Sequence, residues 1–134
     1  MPAEAIVQDI TINGDRGYQV QISFSFDETR NVEKLEGQRV DVSNGIDHLR
    51  INFYDPTGSL MMGYDNIVDS RIQGEYFEFH YDLQQQKIFG ALDLGGESVG
   101  EIFLKGDASN ELALIKIKSS GNEKVLDQIS VRND

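Results

Sequence analysis

The stretch Glu75–Asp82, "EYFEFHYD", holds one of the chain's two histidines beside a carboxylate, which is a pairing that acid–base catalysis and metal binding both use. Read as a strand, it places Glu78 and His80 on one face and three aromatic side chains, Phe77, Phe79 and Tyr81, on the other. The predicted neighbours of His80 are Phe89 on the next strand and Glu78, and neither is a nucleophile. We therefore predict a structural or surface histidine, with no catalytic, cofactor-binding or metal-binding residues.

Other motifs with chemical potential have simpler interpretations. The chain has no cysteine, which excludes thiolate chemistry, disulfides and cysteine-ligated metals. Acidic residues crowd the turns, as in "DPTG" and "GDASNE", but their spacing is not that of an EF-hand, and turns select Asp, Asn and Gly in any case. The glycine-rich "LGGESVGE" lacks the lysine of a phosphate-binding loop. A third hypothesis, an enzymatic function, would be supported only by a cleft in which Asp127, Glu78 or Glu101 has a displaced pKa.

Composition restricts the partners. The formal net charge of −11 makes binding to nucleic acid or to an anionic membrane unfavourable. The start "MPAEAIVQDI" lacks the pattern of an export signal, and no apolar segment approaches the about 20 residues of a membrane span. We expect a cytoplasmic protein that binds neither nucleic acid nor membrane.

Alternation of apolar and polar residues dominates the chain and predicts an all-β fold. In Tyr18–Phe26, "YQVQISFSF", every second residue is apolar. The 134 residues fit one domain, residues 1–134. We predict an antiparallel meander of about eight or nine strands, a small closed barrel in preference to a two-sheet sandwich, because closure removes exposed edges. At most one short helix is expected, near residues 28–36.

Loop lengths set the predicted strand register. The loop "LQQQ" places Asp82 opposite Lys87, a three-residue loop at "GGE" places Leu92 opposite Gly100, and a four-residue loop at "DASN" places Ile102 opposite Ile115. The strand joined by "SGN" then places Ile117 opposite Val125. In the "DPTG" hairpin the same reasoning places Phe53 opposite Met61. This register defines two surfaces: a candidate interior ligand wall (Phe77, Phe79, Leu92, Ile102, Ile115, Asp127) and a candidate interaction surface on the outer face (His80, Phe89, Phe103, Leu114).

Two functions compete on these surfaces. A contiguous apolar stripe on a solvent-facing sheet indicates that something covers it, either a partner subunit or another part of the chain, such as an N-terminal strand, the short helix or a second sheet. The first function is a noncatalytic protein-interaction domain that forms a homo-oligomer through the outer stripe. The alternative is a β-barrel that binds a small apolar ligand in its interior, with Asp127 as a polar anchor or, more simply, as a carboxylate that reaches solvent. No family resemblance distinguishes the two.

Overall fold

The structure is a computed structural model that describes residues 5–27, 34–38, 45–73 and 76–130. Within these ranges the regular structure consists only of strands, and every pair is antiparallel. In chain order the strands are β1 (Ala5–Asn13), β2 (Gln19–Asp27), β3 (Lys34–Gln38), β4 (Ile46–Tyr54), β5 (Leu60–Val68), β6 (Arg71–Ile72), β7 (Glu78–Asp82), β8 (Lys87–Ile88), β9 (Ala91–Gly95), β10 (Ile102–Asp107), β11 (Glu111–Ile117) and β12 (Glu123–Ser130). The all-β, antiparallel prediction is confirmed.

The expected helix near residues 28–36 is wrong where it can be compared. Residues 34–36 belong to β3, whose partner is β7, and residues 28–33 lie outside the described ranges. Lys34 and Glu36, which the helix prediction placed on a helix surface, are solvent-facing residues of a strand.

The strands form two sheets. The smaller sheet has the order β1-β2-β4-β5-β6, and the larger has the order β12-β11-β10-β9-β7-β3, with β8 paired to β7. Among the described strands neither sheet closes on itself, so the preference for a barrel is not confirmed. The chain also departs from a simple meander, since β3 leaves the smaller sheet for the larger one and β4 returns beside β2.

The core lies between the two sheets and includes side chains from both. The ring of Phe24 on β2 lies 5.3 Å from that of Phe79 and 4.9 Å from that of Tyr81, both on β7. The predicted alternation of β2 is confirmed, because Val20, Ile22, Phe24 and Phe26 are all buried. Aromatic pairs at these distances add about 0.5–1.5 kcal/mol each to the free energy of burial.

Polar contacts also connect the two sheets. Asn66 on β5 donates from its amide to the carbonyl of Gly95 at 3.0 Å and accepts from the Gly95 N–H at 2.8 Å. The N–H of Asp15, in the β1–β2 turn, donates to the carbonyl of Gln128 on β12 at 2.9 Å. These bonds join β5 to β9 and the β1–β2 turn to β12.

Four predicted strand registers are wrong: two are shifted by an even number of residues, which keeps the faces, and two are shifted by one residue, which exchanges them. Asp82 faces Lys87 as predicted, but β9 and β10 are joined by residues 96–101, a longer loop than expected, so Leu92 faces Gly106 instead of Gly100. This shift of six residues is even, and it keeps Leu92 facing the core. In the first hairpin after Tyr54, Phe53 faces Met62 instead of Met61, an odd shift.

The odd shift with the largest effect lies between β10 and β11. Ile102 faces Lys116, not Ile115, because the turn closes one residue tighter than predicted, with the Asn110 N–H donating to the Asp107 carbonyl at 3.0 Å. A shift of one residue exchanges the two faces of a strand. Leu114 therefore points into the core and Ile115 points outward, the reverse of the prediction. Val125 faces Ile115 instead of Ile117.

Candidate functional site

The structure does not bring the four residues of the predicted interaction surface together. His80 and Phe89 are in contact, with ring centroids 5.3 Å apart. Phe103 lies on the outer face of the larger sheet, but its cross-strand neighbours are Gly95 and Ile115. Leu114 is 0 % exposed, so its predicted outer position is wrong. The predicted surface thus divides into two separate regions of the same face.

The first region is a cluster around His80 in which both ring nitrogens face carboxylates. Nδ1 lies 3.0 Å from Glu36 Oε1, and Nε2 lies 2.7 Å from Glu78 Oε2. The Lys34 ammonium lies 5.1 Å from the centroid of the Phe89 ring, which covers His80. A histidine can donate from both nitrogens only as the imidazolium, so this arrangement is fully hydrogen-bonded in the charged form. The geometry is that of a hydrogen-bonded side-chain network that connects β3 to β7.

Sequence reasoning missed Glu36 and Lys34 because it placed them on a helix. Their pairing with β7 joins residues more than 40 positions apart, as the separation of 44 between His80 and Glu36 shows. Charged residues alternating with Leu35 were the available signal, since Leu35 is buried and its neighbours face outward.

Ionisable residues extend from the His80 cluster across the next two strands. Glu78 on β7 faces Asp93 on β9, and Asp93 faces Lys105 on β10. Burial raises the pKa of Asp93 to about 6; the Lys105 charge opposes this rise, and the carboxylates of Glu97 and Glu78 add to it. The displaced pKa therefore falls on a residue that sequence analysis did not single out. The correct length of the β9–β10 loop would have been needed to place Asp93 opposite Lys105.

A groove of about 220 Å³ opens on the outer face next to Asp93. It is lined by Tyr76, Asp93, Gly95, Gly96, Glu97, Phe103, Lys105, Ile117 and Glu123. Gly95 adopts a φ of 121°, and a Cβ there would lie 2.5 Å from the carbonyl oxygen of Ile102. The close approach of β9 to β10 therefore requires glycine. Phe103 and Ile117 are the aliphatic or phenyl side chains that line the groove.

The second region is a row of apolar side chains on three adjacent strands. Phe103 on β10 faces Ile115 on β11, and Ile115 faces Val125 on β12. Ile117 lies two residues further along β11 on the same face. Val125 is 43 % exposed and the other three are half-buried. These four residues are the apolar row of the larger sheet. Phe103 is the one residue that the apolar row shares with the predicted interaction surface.

Most of the predicted interior wall does lie in the core. Phe77, Phe79, Leu92 and Ile102 are all buried, whereas Ile115 faces outward. Asp127 is fully buried, and its carboxylate binds the β1–β2 turn: the Arg16 N–H donates to both oxygens at 2.9 Å, and the Tyr18 N–H donates at 3.2 Å. Asp127 does not reach solvent, and its acceptor sites are occupied by backbone donors.

The acidic turns serve local backbone geometry. Asp55 Oδ1 accepts from the N–H groups of Thr57 at 2.8 Å and Ser59 at 3.1 Å, and the hydroxyl of Thr57 contributes most to lowering the pKa of Asp55. The hydroxyl of Ser109 lowers the pKa of Asp107 in the same way. Within the described ranges no group of three or more His, Asp or Glu side chains is arranged to hold a metal ion.

In the part of the chain that the structure describes, there is no helix that could span a membrane. No family model matches the chain, and no curated protein or solved structure matches it.

Proposed function

We propose that the protein is a noncatalytic interaction domain that self-associates through the apolar row of its larger sheet. The observation that carries this proposal is the uninterrupted series Phe103, Ile115 and Val125 across β10, β11 and β12, on a face directed away from the core. Single exposed apolar residues are common on protein surfaces, but a contiguous group is typical of an interface.

The outer face of the smaller sheet provides an internal comparison. The corresponding positions of β2 are Gln19, Gln21, Ser23 and Ser25. Their side chains form surface hydrogen bonds, with the Gln19 amide donating to Asn13 at 3.1 Å and the Gln21 amide donating to Gln19 at 3.0 Å. The outer positions of β2 are polar, as contact with water favours, although Val7 and Leu60 elsewhere on that face are exposed, whereas the outer face of the larger sheet carries the contiguous apolar row. The difference supports a partner on the second face.

The charge distribution is compatible with a second copy as that partner. Residues 102–130 contain four lysines and four acidic residues, so this segment is neutral although the whole chain carries −11. Two copies that meet at β10–β12 would therefore bring together segments without net charge. A two-fold interface uses the same patch on both copies, which doubles the apolar contribution.

The expected affinity is modest. Because three of the four side chains are already half-buried, completing their burial contributes about 1 kcal/mol each by the usual area relation. Eight side chains in a symmetric interface then contribute about 8 kcal/mol, which is comparable with the about 4–15 kcal/mol that association costs. At the lower limit of that cost the net free energy is about 4 kcal/mol, which corresponds to a dissociation constant of about 1 mM, so we expect a dimer only in concentrated solution.

Sedimentation equilibrium of matched variants tests the proposal. Val125→Lys should sediment as a monomer at concentrations where the wild type is dimeric, and Leu60→Lys, at a comparably exposed position of the smaller sheet (56 %), should behave as the wild type. Phe103→Glu provides a second disruption at the other end of the row. A wild type that remains monomeric at the highest concentration, or a Leu60→Lys variant that dissociates as completely as Val125→Lys, would overturn the proposal.

The interior-ligand function stays a prediction without a specific observation in its favour. The rings of Phe24, Phe79 and Tyr81 occupy the space between the sheets, where such a ligand would bind.

A further inference from the structure

The edge strand β1 lacks the features that normally protect a sheet edge. Proteins prevent unwanted strand pairing with short edge strands, bulges, lysines or prolines. Among the other outer strands, β6 has two residues, β3 has five and begins with Lys34, and β12 has an irregular register at Val125 and carries Lys124. In contrast, β1 pairs with β2 over nine residues without a register shift, and Asp9 is its one charged residue.

The free hydrogen-bonding groups of β1 can be assigned to individual residues. In the turn after β1, the Gly14 N–H donates to the Tyr18 carbonyl at 2.7 Å, in line with the register of the β1–β2 pair. Hydrogen-bonded pairs alternate along an antiparallel ladder. The even-numbered residues of β1 therefore bond to β2, and Val7, Asp9 and Thr11 direct their N–H and C=O groups away from it. Among the described strands, β2 is the only partner of β1.

The core-facing side of β1 is also incompletely covered. Ile6, Ile10 and Ile12 pack against the core but stay half-buried, whereas their partners on β2, Phe26, Ile22 and Val20, are buried. A further strand beside β1 would cover these isoleucines if it carried apolar residues at alternate positions. Both the backbone and the side chains of β1 thus match the requirements of strand addition.

We propose that β1 binds an extended, positively charged segment of a partner protein as a sixth strand of the smaller sheet. The positive charge of the partner segment is inferred from the charge of this chain. Residues 5–27 contain three aspartates, one arginine and no lysine. The net charge of −11 attracts a cationic segment and repels a second copy at this edge. Apolar residues of the segment would cover Ile6 and Ile10, and a lysine or arginine of the segment would lie opposite Asp9.

The test uses a synthetic peptide of alternating residues, Lys-Val-Lys-Ile-Lys-Val-Lys-Ile, with a fluorescent label, titrated with the protein at low ionic strength and followed by anisotropy. Thr11→Pro removes an outward N–H without removing a β1–β2 bond, and it should weaken binding at least about tenfold, because proline cannot donate to an added strand. Thr11→Val keeps that N–H and should change binding less than about twofold.

A peptide of the same composition with its lysines and apolar residues in separate blocks distinguishes strand addition from simple charge attraction. It should bind at least about tenfold more weakly than the alternating peptide, since it cannot place apolar residues on one face of a strand. Equal binding of the two peptides, or no effect of Thr11→Pro, would overturn the proposal.

Amide hydrogen exchange provides a readout that does not depend on a variant. In the free protein the amides of Val7, Asp9 and Thr11 should exchange rapidly while those of Gln8 and Ile10 are protected, and the alternating peptide should protect the first three. Absence of that protection at saturating peptide would overturn the proposal. Protection that instead rises with protein concentration alone would identify a second copy as the occupant and would also overturn it. These exchange measurements can also be made on the Val125→Lys variant. Because that variant should not self-associate through the apolar row, they test strand addition at β1 independently of the proposed dimer.

Discussion

Replacing Asp127 with asparagine should destabilise the protein strongly, because its carboxylate connects the two sheets. Asp127 lies on the inner side of β12 and is 0 % exposed. Its oxygens accept from the N–H groups of Arg16, Tyr18 and Gln128, at distances between 2.7 and 3.2 Å. Two of these donors belong to the turn that joins β1 to β2 in the other sheet. The carboxylate lies directly against the backbone of the turn, since a Cβ at Gly14 would overlap it.

The size of the effect follows from the donors that lose an acceptor. Asparagine has the same shape, but its amide NH₂ replaces one of the two oxygens and must face a backbone N–H. Hydrogen bonds to a charged group contribute about 1.5–3 kcal/mol each, and a buried donor without an acceptor costs about 1–3 kcal/mol. We expect Asp127→Asn to lower the free energy of unfolding by about 2–4 kcal/mol, which is a large part of the stability of a domain of this size.

Urea denaturation at neutral pH, followed by circular dichroism, measures this change. Asp15→Asn is the matched control, because Asp15 lies in the same turn but is exposed, and it should change the free energy of unfolding by less than about 0.5 kcal/mol. In Asp127→Asn the amides of Arg16 and Tyr18 should also exchange faster. A loss below about 1 kcal/mol, or an equal loss in Asp15→Asn, would refute the reasoning.

Two further predictions concern the register of β11 and the charge of Asp93. Leu114→Ala should lower the free energy of unfolding by about 2–5 kcal/mol, as for other fully buried leucines, and Ile115→Ala should lower it by about 1 kcal/mol or less. Denaturant unfolding measures both changes. A larger loss for Ile115→Ala than for Leu114→Ala would support the register that the loop lengths predicted. The pKa of Asp93 is raised from 3.8 to about 6, so its neutral form favours folding fully below pH 4, and that contribution is lost as the pH rises through 6. Asp93→Asn should therefore leave stability unchanged at pH 4 and raise it by about 1 kcal/mol at pH 8, a figure reduced from the full shift because the carboxylate is partly exposed. An equal effect at both pH values in thermal unfolding would contradict the assignment.

Local patterns were sufficient to predict the fold class and the best-defined hairpins. The period-two pattern of Tyr18–Phe26 predicted which face of β2 is buried, and the short loop after Asp82 fixed its pairing with Lys87. In both cases neighbouring residues along the chain carry the information. The same was true of the outward position of His80 and its contact with Phe89.

The two candidate surfaces were not predicted correctly because their residues depend on loop lengths, and glycine-containing loops do not have one preferred length. Glycine accepts several turn conformations, and the segment after Leu94 contains three, at positions 95, 96 and 100. At the turn after Gly106 one residue of difference exchanged Leu114 for Ile115 on the outer face. The pairing of β3 with β7 is a different kind of failure, because it joins distant segments that carry no local signal for each other.

The most direct test of self-association through the apolar row is a dilution series of ¹H–¹⁵N correlation spectra. Between dilute and concentrated protein, the largest amide shifts should fall on Phe103, Ile115, Ile117 and Val125 and on their immediate neighbours, and they should disappear in Val125→Lys. Spectra that stay unchanged over the whole series, or shifts that lie on the outer face of the smaller sheet instead, would contradict the proposed interface.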